Sequence, residues 1–600
     1  MNDVLEAPKA SAVILGKISG IIKEIFPEKC QKILLVNIPG VSKEDFDLAT
    51  AKLKRYPCFP PYGIGILSRK LQEAGYEAKI IDLNFEILSR VSEDNFNYDL
   101  WKEKLKEAVG SFCPDIIGIS SMFSANHLSL KAVANYIGRT FPNIPIVAGG
   151  VHPSGNTRQV LEDILNIDIV ILYEADRAFV NLIDFANGKA EENALSQIAL
   201  LWDGEYLCLE NRNAPDRDEV GSPPDYDGLP IGEYSDFGEI GVYRWLKDYP
   251  KGTSIIAHRG CRGNCTYCAV RSFNGVGVRS RKTSAVADEM EFMAEKHGIR
   301  HFMWLDDDLF RPDAIELFGE IARRNLGITW DASNAVIASA TTEEIVESAQ
   351  KSGCIGLSFG IESGDPDILK MVRKPSGIKH FQKTGAIMKK YPRIFTKGFL
   401  MIGFQGETIG QIWNTINLAK EIGLDWYPIQ TAVPLGGTDM AKRMLEGGLL
   451  GQREILMSKL YIGPAGGQKR KESDETKSSS FNLSILNPDN KNKIPLREEL
   501  SDIWFVMDYL LNYDRLKGET RMVKLQMHRL HLRHILNRSP KRIAMASLYL
   551  GIVNKKLGNH KEARENFKDT ERYLEESAFW KVRFEALGLN PILQDSLKSC

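Results

Sequence analysis

Along the first 200 residues, short apolar runs of β type alternate with stretches whose apolar positions recur every three or four residues. The runs are KILLVN (32–37), AKIIDL (78–83), DIIGIS (115–120), IPIVAGG (144–150) and DIVIL (168–172). Strands of this kind separated by helices predict a parallel sheet covered on both faces. One helix is placed from Gly63 to Ala74, where Ile64, Leu67 and Leu71 share a face and Gly75 ends it. Another follows from Ser124 to Gly138. In an open sheet the ligand crevice lies outside the carboxyl ends of the strands. Ser120 and Ser121, the loop Gly149, Gly150 to His152, and the loop Tyr173 to Asp176 with Glu174 should therefore line one crevice.

The fold class read for 1–195 is α/β, doubly wound and Rossmann-like. From 196 to 250 the pattern loosens into a connector rich in Pro, Gly and Asp. A second α/β series spans 251–465, with runs TSIIAH (253–258), HFMWLD (301–306), ITWDAS (328–333), GLSFGIES (356–363), TKGFLMIG (396–403) and YPIQTAV (427–433). Six βα units predict a partial (β/α)6 barrel with its site at the C-terminal mouth of the strands. Residues 466–495 are polar and turn-rich, which predicts a linker or exposed loop with little core. Residues 496–600 read as a helical domain. Within it Leu550, Gly551, Gly558, Ala563 and Phe567 have the spacing of one tetratricopeptide helix pair. One pair cannot stack into a solenoid, so it predicts a helical cap on the barrel.

Composition narrows the class. The 600 residues are 43% hydrophobic and 26% charged, enough for several cores. A formal net charge of −1 provides no global field for nucleic acid or an acidic membrane surface. No stretch approaches the ~20 apolar residues of a membrane-spanning helix, and the first 26 residues do not read as a signal peptide. Three of the nine cysteines crowd together and six are scattered. That is no secreted disulfide framework, so the expected compartment is the reducing cytoplasm.

Candidate chemistry concentrates in RGCRGNCTYCAV (259–270), where Cys261, Cys265 and Cys268 are spaced C-x3-C-x2-C after the first barrel strand. Thiolates this close on one loop can reach a single metal centre. The competing reading is a structural zinc completed by His258; against it, His258 ends an apolar strand and no second Cys pair follows. Asp306, Asp307 and Asp308 either cap a helix or enter the site, and Asp306, which ends its strand, is the better site candidate. His528, His531 and His534 do not share one helical face and lie beside Arg529, Arg533 and Arg538, predicting a solvated basic face. His127 reads as a cap or surface residue. Cys30, Cys58, Cys113, Cys208, Cys354 and Cys600 read as packing or surface.

Over about 250–440 these motifs, in this order, resemble the radical S-adenosylmethionine (SAM) superfamily. The cysteine loop follows the family's C-x3-C-x-aromatic-C pattern with Tyr267 as the aromatic. Trp304 to Asp308 sits at an acidic motif after the second strand, and Gly360-Ile361-Glu362-Ser363-Gly364 resembles the fourth-strand GxESG pattern. Gly398 to Gly403 with Gly406-Glu407-Thr408, and Pro434 to Thr438, resemble the fifth- and sixth-strand motifs. The resemblance implies a [4Fe-4S] cluster on Cys261, Cys265 and Cys268 whose open iron chelates SAM. Tyr267, Asp306, Glu362, Ser363, Gly403 and Gly406 are then the SAM-contact candidates.

The preceding sheet, with PPYGIGILSRKLQEAGYEAKIIDL (60–83) and GGVHPS (149–154), resembles the cobalamin-binding domain of class B radical SAM enzymes. That implies cobalamin near Ser120, Ser121, Gly149, Gly150, His152 and Glu174. A D-x-H-x-x-G motif is missing, so the lower cobalt face is not assigned to a His. Tyr173-Glu174-Ala175-Asp176 stands where relatives show Gly-Glu-Gly-Glu. The implied activity is methylation of an unactivated carbon through a 5′-deoxyadenosyl radical and methylcobalamin. The alternatives are a cyclisation or rearrangement on the same architecture, and a cobalamin-sensing or scaffold protein. The implied partners are a small-molecule or natural-product substrate and an electron donor such as flavodoxin or ferredoxin, with no nucleic acid.

Overall fold

The computed structural model describes residues 7–457, 480–538 and 543–599. Residues 466–479 of the linker expected over 466–495, and Cys600, lie outside the described residues. Five apolar runs form the parallel strands β1 (Lys32–Asn37), β2 (Glu77–Asp82), β3 (Ile116–Ser120), β4 (Ile146–Gly149) and β5 (Ile169–Ile171). Two further strands, β6 (Ile198–Trp202) and β7 (Glu205–Leu209), extend the sheet as an antiparallel hairpin, giving the order β2-β1-β3-β4-β5-β6-β7. The reading of 196–250 as a connector is corrected here in its first part: Ile198, Ala199 and Leu200 are core residues of the sheet.

The second part of that segment is also not loose. Ile231, Tyr234, Ile240, Tyr243 and Trp245 are buried in the barrel's own core. The Tyr243 ring fills the space where a Cβ on Gly356 would stand, 2.3 Å from its Cγ, and its hydroxyl meets Ser358 Oγ at 2.8 Å. A tyrosine thus plugs the N-terminal end of the barrel.

The barrel strands are β8 (Gly252–Ile255), then, past a short hairpin of β9 (His258–Arg259) and β10 (Arg279–Ser280), β11 (His301–Trp304), β12 (Thr329–Val336), β13 (Cys354–Glu362), β14 (Phe395–Ile402) and β15 (Ile429–Thr431). Six of them pair in parallel in the order β15-β14-β13-β12-β11-β8, as expected for an open, partial barrel. β13 is buried along its whole length, which is why its sequence reads as one apolar run.

An open barrel leaves a free edge whose backbone groups need partners. The C-terminal helices supply them. Trp504 Nε1 donates to Ile429 O at 2.8 Å, and the Asn512 amide pairs with both Tyr427 N (2.7 Å) and Tyr427 O (2.9 Å). Ile485 and Leu486 are buried on the same core, so the described end of the polar segment 466–495 does carry core residues. The helices Ala544–Lys556 and His560–Glu576 form the expected single pair, with Phe567 against Gly551, where a Cβ would lie 2.4 Å from the ring.

The His528, His531 and His534 expectation is corrected: they do not line a solvated face. His528 and His531 are buried, and His531 lies among Trp245, Phe395 and Trp426 with ring centroids at 4.7, 5.3 and 4.5 Å. Burial pushes His528 and His534 down to about 3, so they stay neutral. No helix among the described residues is long and apolar enough to cross a membrane.

Candidate active site at the domain junction

Cys261, Cys265 and Cys268 follow β9 on one loop, half-buried, and all eight described cysteines are free thiols. Gly263 makes the loop roomy: a Cβ there would lie 3.3 Å from Cys261 Sγ and 3.8 Å from Cys265 Sγ. Its N–H also donates to Cys261 Sγ at 3.3 Å. Among the described residues, no three His, Cys, Asp or Glu side chains draw together around one metal ion. A cluster needs no such convergence, because each thiolate holds its own iron. The donor set and the cradle between the sulfurs fit an iron–sulfur cluster.

His258 is excluded as a fourth zinc ligand by its neighbours. Its Nδ1 meets Asp306 Oδ1 at 2.6 Å and its Nε2 meets Asp313 Oδ2 at 3.5 Å. Burial lowers its affinity for a proton, but the two carboxylates outweigh that and raise it to about 9, so it is an imidazolium at neutral pH. Asp306 also accepts from Ala257 N (3.0 Å) and His258 N (2.7 Å). The expectation that Asp306 contacts cofactor is therefore corrected: its oxygens shape the turn before Cys261. Asp308 is likewise committed, in a bidentate pair with Arg262 at 2.7 and 2.8 Å. Asp307 acts on both Cys261 and Cys268, with Asp308 the stronger influence on Cys261, and burial plus its acidic neighbours push Asp307 up to about 7.

Glu362 ends β13 with φ +66°, where the register with β14 slips between Gly360 and Glu362. That bulge turns its carboxylate onto Lys374, whose Nζ stands 2.8 Å from Glu362 Oε1 and 3.2 Å from Tyr267 OH. Lys374 is a site residue that the sequence reading missed. Burial disfavours its charge, yet Glu362 keeps it an ammonium. Tyr267 borders a small apolar group of Ile368, Val372, Phe404 and Met401. Ser363 does not join it: its hydroxyl is buried against Thr415 Oγ1 (3.2 Å) and Asp365 N (3.1 Å), so its predicted cofactor contact is corrected to a turn lock. Gly403 is corrected as well. Its N–H goes to Glu407 Oε2 at 2.7 Å, and Leu500 lies 2.8 Å from where its Cβ would be. Gly406, at φ +77°, faces open space.

At the N-terminal sheet, Ser120 and Gly149 are in register at the strand ends. Gly150 has φ +104°, and a Cβ there would meet Ser121 O at 2.4 Å. Ser121 Oγ is buried without a hydrogen-bond partner. This close backbone approach and the orphaned hydroxyl fit a crevice that receives a polar-edged ligand such as cobalamin. His152 does not face it. Its Nε2 meets His127 Nδ1 and its Nδ1 meets Ser124 Oγ, both at 3.0 Å, while His127 passes the chain on to Asp163 at 2.8 Å. Both histidines are buried, which also corrects the surface reading of His127. Glu174 is corrected from a cofactor contact to an ion-pair partner of Arg259 and Arg279.

The cysteine loop and the Gly150 turn meet at one junction. Helix Val151–Gly155 packs on helix Ala269–Asn274, which starts at Cys268, and a Cβ on Gly155 would lie 2.5 Å from Gly436 O after β15. The sequence profile of the B12 binding domain matches residues 50–183, and that of the Radical SAM superfamily matches 255–419. The chain is a cobalamin-binding-domain radical SAM enzyme. Cytidylyl-2-hydroxyethylphosphonate methyltransferase of Streptomyces wedmorensis is 26% identical over 72% of this chain and 85% of its own length. An uncharacterized methyltransferase of Pyrococcus horikoshii is 28% identical over 70% and 85%. The radical SAM methyltransferase TsrM of Kitasatospora setae shares the fold at 17% identity and a TM-score of 0.56, covering 91% of this chain and all of that one. The cobalamin-dependent radical enzyme OxsB does so at 14% identity and a TM-score of 0.56, covering 95% of this chain and 83% of that one.

In this radical SAM enzyme Cys261, Cys265 and Cys268 would hold the [4Fe-4S] cluster, and the crevice at Ser121 and Gly150 would receive cobalamin.

Proposed function

We propose that the enzyme methylates an unactivated carbon of a small-molecule or natural-product substrate. The observation that carries this is the junction itself: the cysteine loop and the Gly150 turn are brought together by the packing of helix Val151–Gly155 on helix Ala269–Asn274. When bound, the cluster and SAM supply a 5′-deoxyadenosyl radical that takes a hydrogen atom, and cobalamin, recharged from a second SAM, supplies the methyl group.

The chain's own residues do the rest. Lys374 offers a fixed ammonium to the carboxylate end of SAM, and Glu362 accepts from its amino group or ribose. Tyr267 with Phe404 and Met401 forms an apolar wall for the adenine, beside the open backbone at Gly406. Ser121 Oγ and the backbone at Gly150 line the cobalamin crevice. Asp307 places a carboxyl at the cluster edge. Methyltransferase names on the two relatives matched over the largest shares of this chain, among those given above, support methylation over ring closure. The free state of all described cysteines supports a reducing compartment, the cytoplasm, where a ferredoxin or flavodoxin would donate electrons.

The test is anaerobic reconstitution with iron, sulfide and cobalamin, then mass analysis of SAM products with a host metabolite extract. Methylation yields S-adenosylhomocysteine together with 5′-deoxyadenosine. Formation of 5′-deoxyadenosine and a rearranged product with no S-adenosylhomocysteine would refute it.

A further inference from the structure

The hairpin of β9 and β10 frames the cysteine loop, with Arg259 opposite Arg279 in its register. Both guanidinium groups reach across to the N-terminal sheet. Arg259 Nη1 stands 2.9 Å from Asp176 Oδ1 and 3.3 Å from Glu174 Oε1, and Arg279 Nη2 stands 2.5 Å from Glu174 Oε2. The four side chains are 5 to 16% exposed, so two positive and two negative charges are withdrawn from water together. Such a set is stable only while all its members are present.

The same loop grips the other side of the cysteines. Tyr173, at φ +62°, has the Arg212 guanidinium 3.7 Å from its ring centroid. Arg212 donates to Ser272 O at 2.7 Å and to Phe273 O, and Arg279 to Asn274 O at 3.3 Å, at the end of the helix that starts from Cys268. On its near side Tyr173 N donates to Ser154 Oγ at 2.8 Å, and Ser154 Oγ to Gly150 O at 2.7 Å. The Tyr62, Arg281 and Glu289 contacts hold the domain to the barrel wall instead.

We infer that the Tyr173–Asp176 loop is a positioning device that sets the distance from the Gly150 crevice to the cysteine loop. The inference rests on the function proposed above, in which the cysteine loop and the Gly150 crevice must serve one substrate carbon and one SAM site. A shift of about 1 Å between reacting centres costs up to about 100-fold in rate. Hydrogen bonds and ion pairs on both flanks of the cysteines are what such a tolerance demands.

The test uses the reconstituted enzyme with hydroxocobalamin, SAM and dithionite, without substrate. Under these conditions S-adenosylhomocysteine reports methyl transfer to cobalamin, and 5′-deoxyadenosine reports SAM cleavage at the cluster. In Glu174→Gln/Asp176→Asn, iron and cobalamin contents should stay native. The magnetic interaction between cob(II)alamin and the reduced cluster should broaden in electron paramagnetic resonance, and S-adenosylhomocysteine should fall about tenfold with 5′-deoxyadenosine unchanged. Arg259→Lys alone, which keeps a positive charge opposite the intact Glu174 and Asp176, should retain most of the native ratio. Native magnetic interaction and ratio in the double variant would overturn the inference, as would loss of either cofactor, which would make the loop part of a binding site. Should the native chain itself bind no cobalamin, the proposed function fails instead, and hydrogen exchange of the cofactor-free chain decides the inference. Exchange over 259–280 should then rise about tenfold in the double variant, and native rates there would overturn it.

Discussion

Lys374 Nζ lies 2.8 Å from Glu362 Oε1, and both side chains are about 10% exposed, so a buried ion pair stands beside the cysteine loop with Tyr267 OH as its third member. Lys374→Met should leave iron content intact and weaken SAM binding. One charge-assisted hydrogen bond is worth about 1.5 to 3 kcal/mol, which is roughly 10- to 150-fold in affinity. Glu362→Gln should act in the same direction. Calorimetric titration of SAM checks both, and native affinity in both variants would remove the pair from the SAM site.

Replacing Cys261, Cys265 or Cys268 by Ala should abolish the cluster and all 5′-deoxyadenosine. Gly263→Ala is the finer probe, because its Cβ would press on Cys261 Sγ at 3.3 Å and touch Cys265 Sγ at 3.8 Å. Iron content should fall while the circular dichroism of the cofactor-free chain stays native.

His258 connects stability to pH. Its proton affinity is raised from the ordinary 6.5 to about 9 in the folded chain. The stabilisation it contributes is therefore fully present below pH 6.5 and is lost as pH rises towards 9. At about 1.4 kcal/mol per unit, the native chain should lose about 3 kcal/mol across that window. His258→Gln should flatten this part of the profile, measured by denaturant unfolding of the cofactor-free chain.

Bound cob(II)alamin should show no nitrogen superhyperfine splitting from His152. Both of its ring nitrogens are engaged, with His127 and Ser124. His152→Ala should leave the electron paramagnetic resonance spectrum as it was. Splitting that disappears in this variant would show that the buried chain opens to ligate cobalt.

Most of the parallel strands were legible because they are buried on both faces and read as continuous apolar runs; β13 is the extreme case, and the edge strand β2, half exposed, is the exception. The cysteine loop and Glu362 were legible because their chemistry sits in local spacing. The β6–β7 hairpin was missed although its signal is present: Asp203 and Gly204, both with positive φ, form the two-residue turn between Trp202 and Glu205. Lys374 carries no such signal, since only the fold brings a lysine twelve residues after Glu362 back onto it. The fates of Asp306 and Asp307 were exchanged for a similar reason. Which of three consecutive acids turns to the backbone depends on the neighbouring strand, here β8 and the turn after it. His531 reads as polar on a helix, and its aromatic cage of Trp245, Phe395 and Trp426 comes from three distant segments.

The pairing of Trp504 and Asn512 with β15 bears on how the chain is made. Until those residues leave the ribosome, the nascent barrel presents Ile429 and the backbone of Tyr427 as a bare sheet edge. At ~5 to 20 residues per second, the interval between synthesis of Ile429 and Asn512 lasts about 4 to 17 seconds. A chain cut before residue 500 would keep that edge for good and should collect in inclusion bodies, and translation that stalls between the two would hand a sticky intermediate to the chaperones.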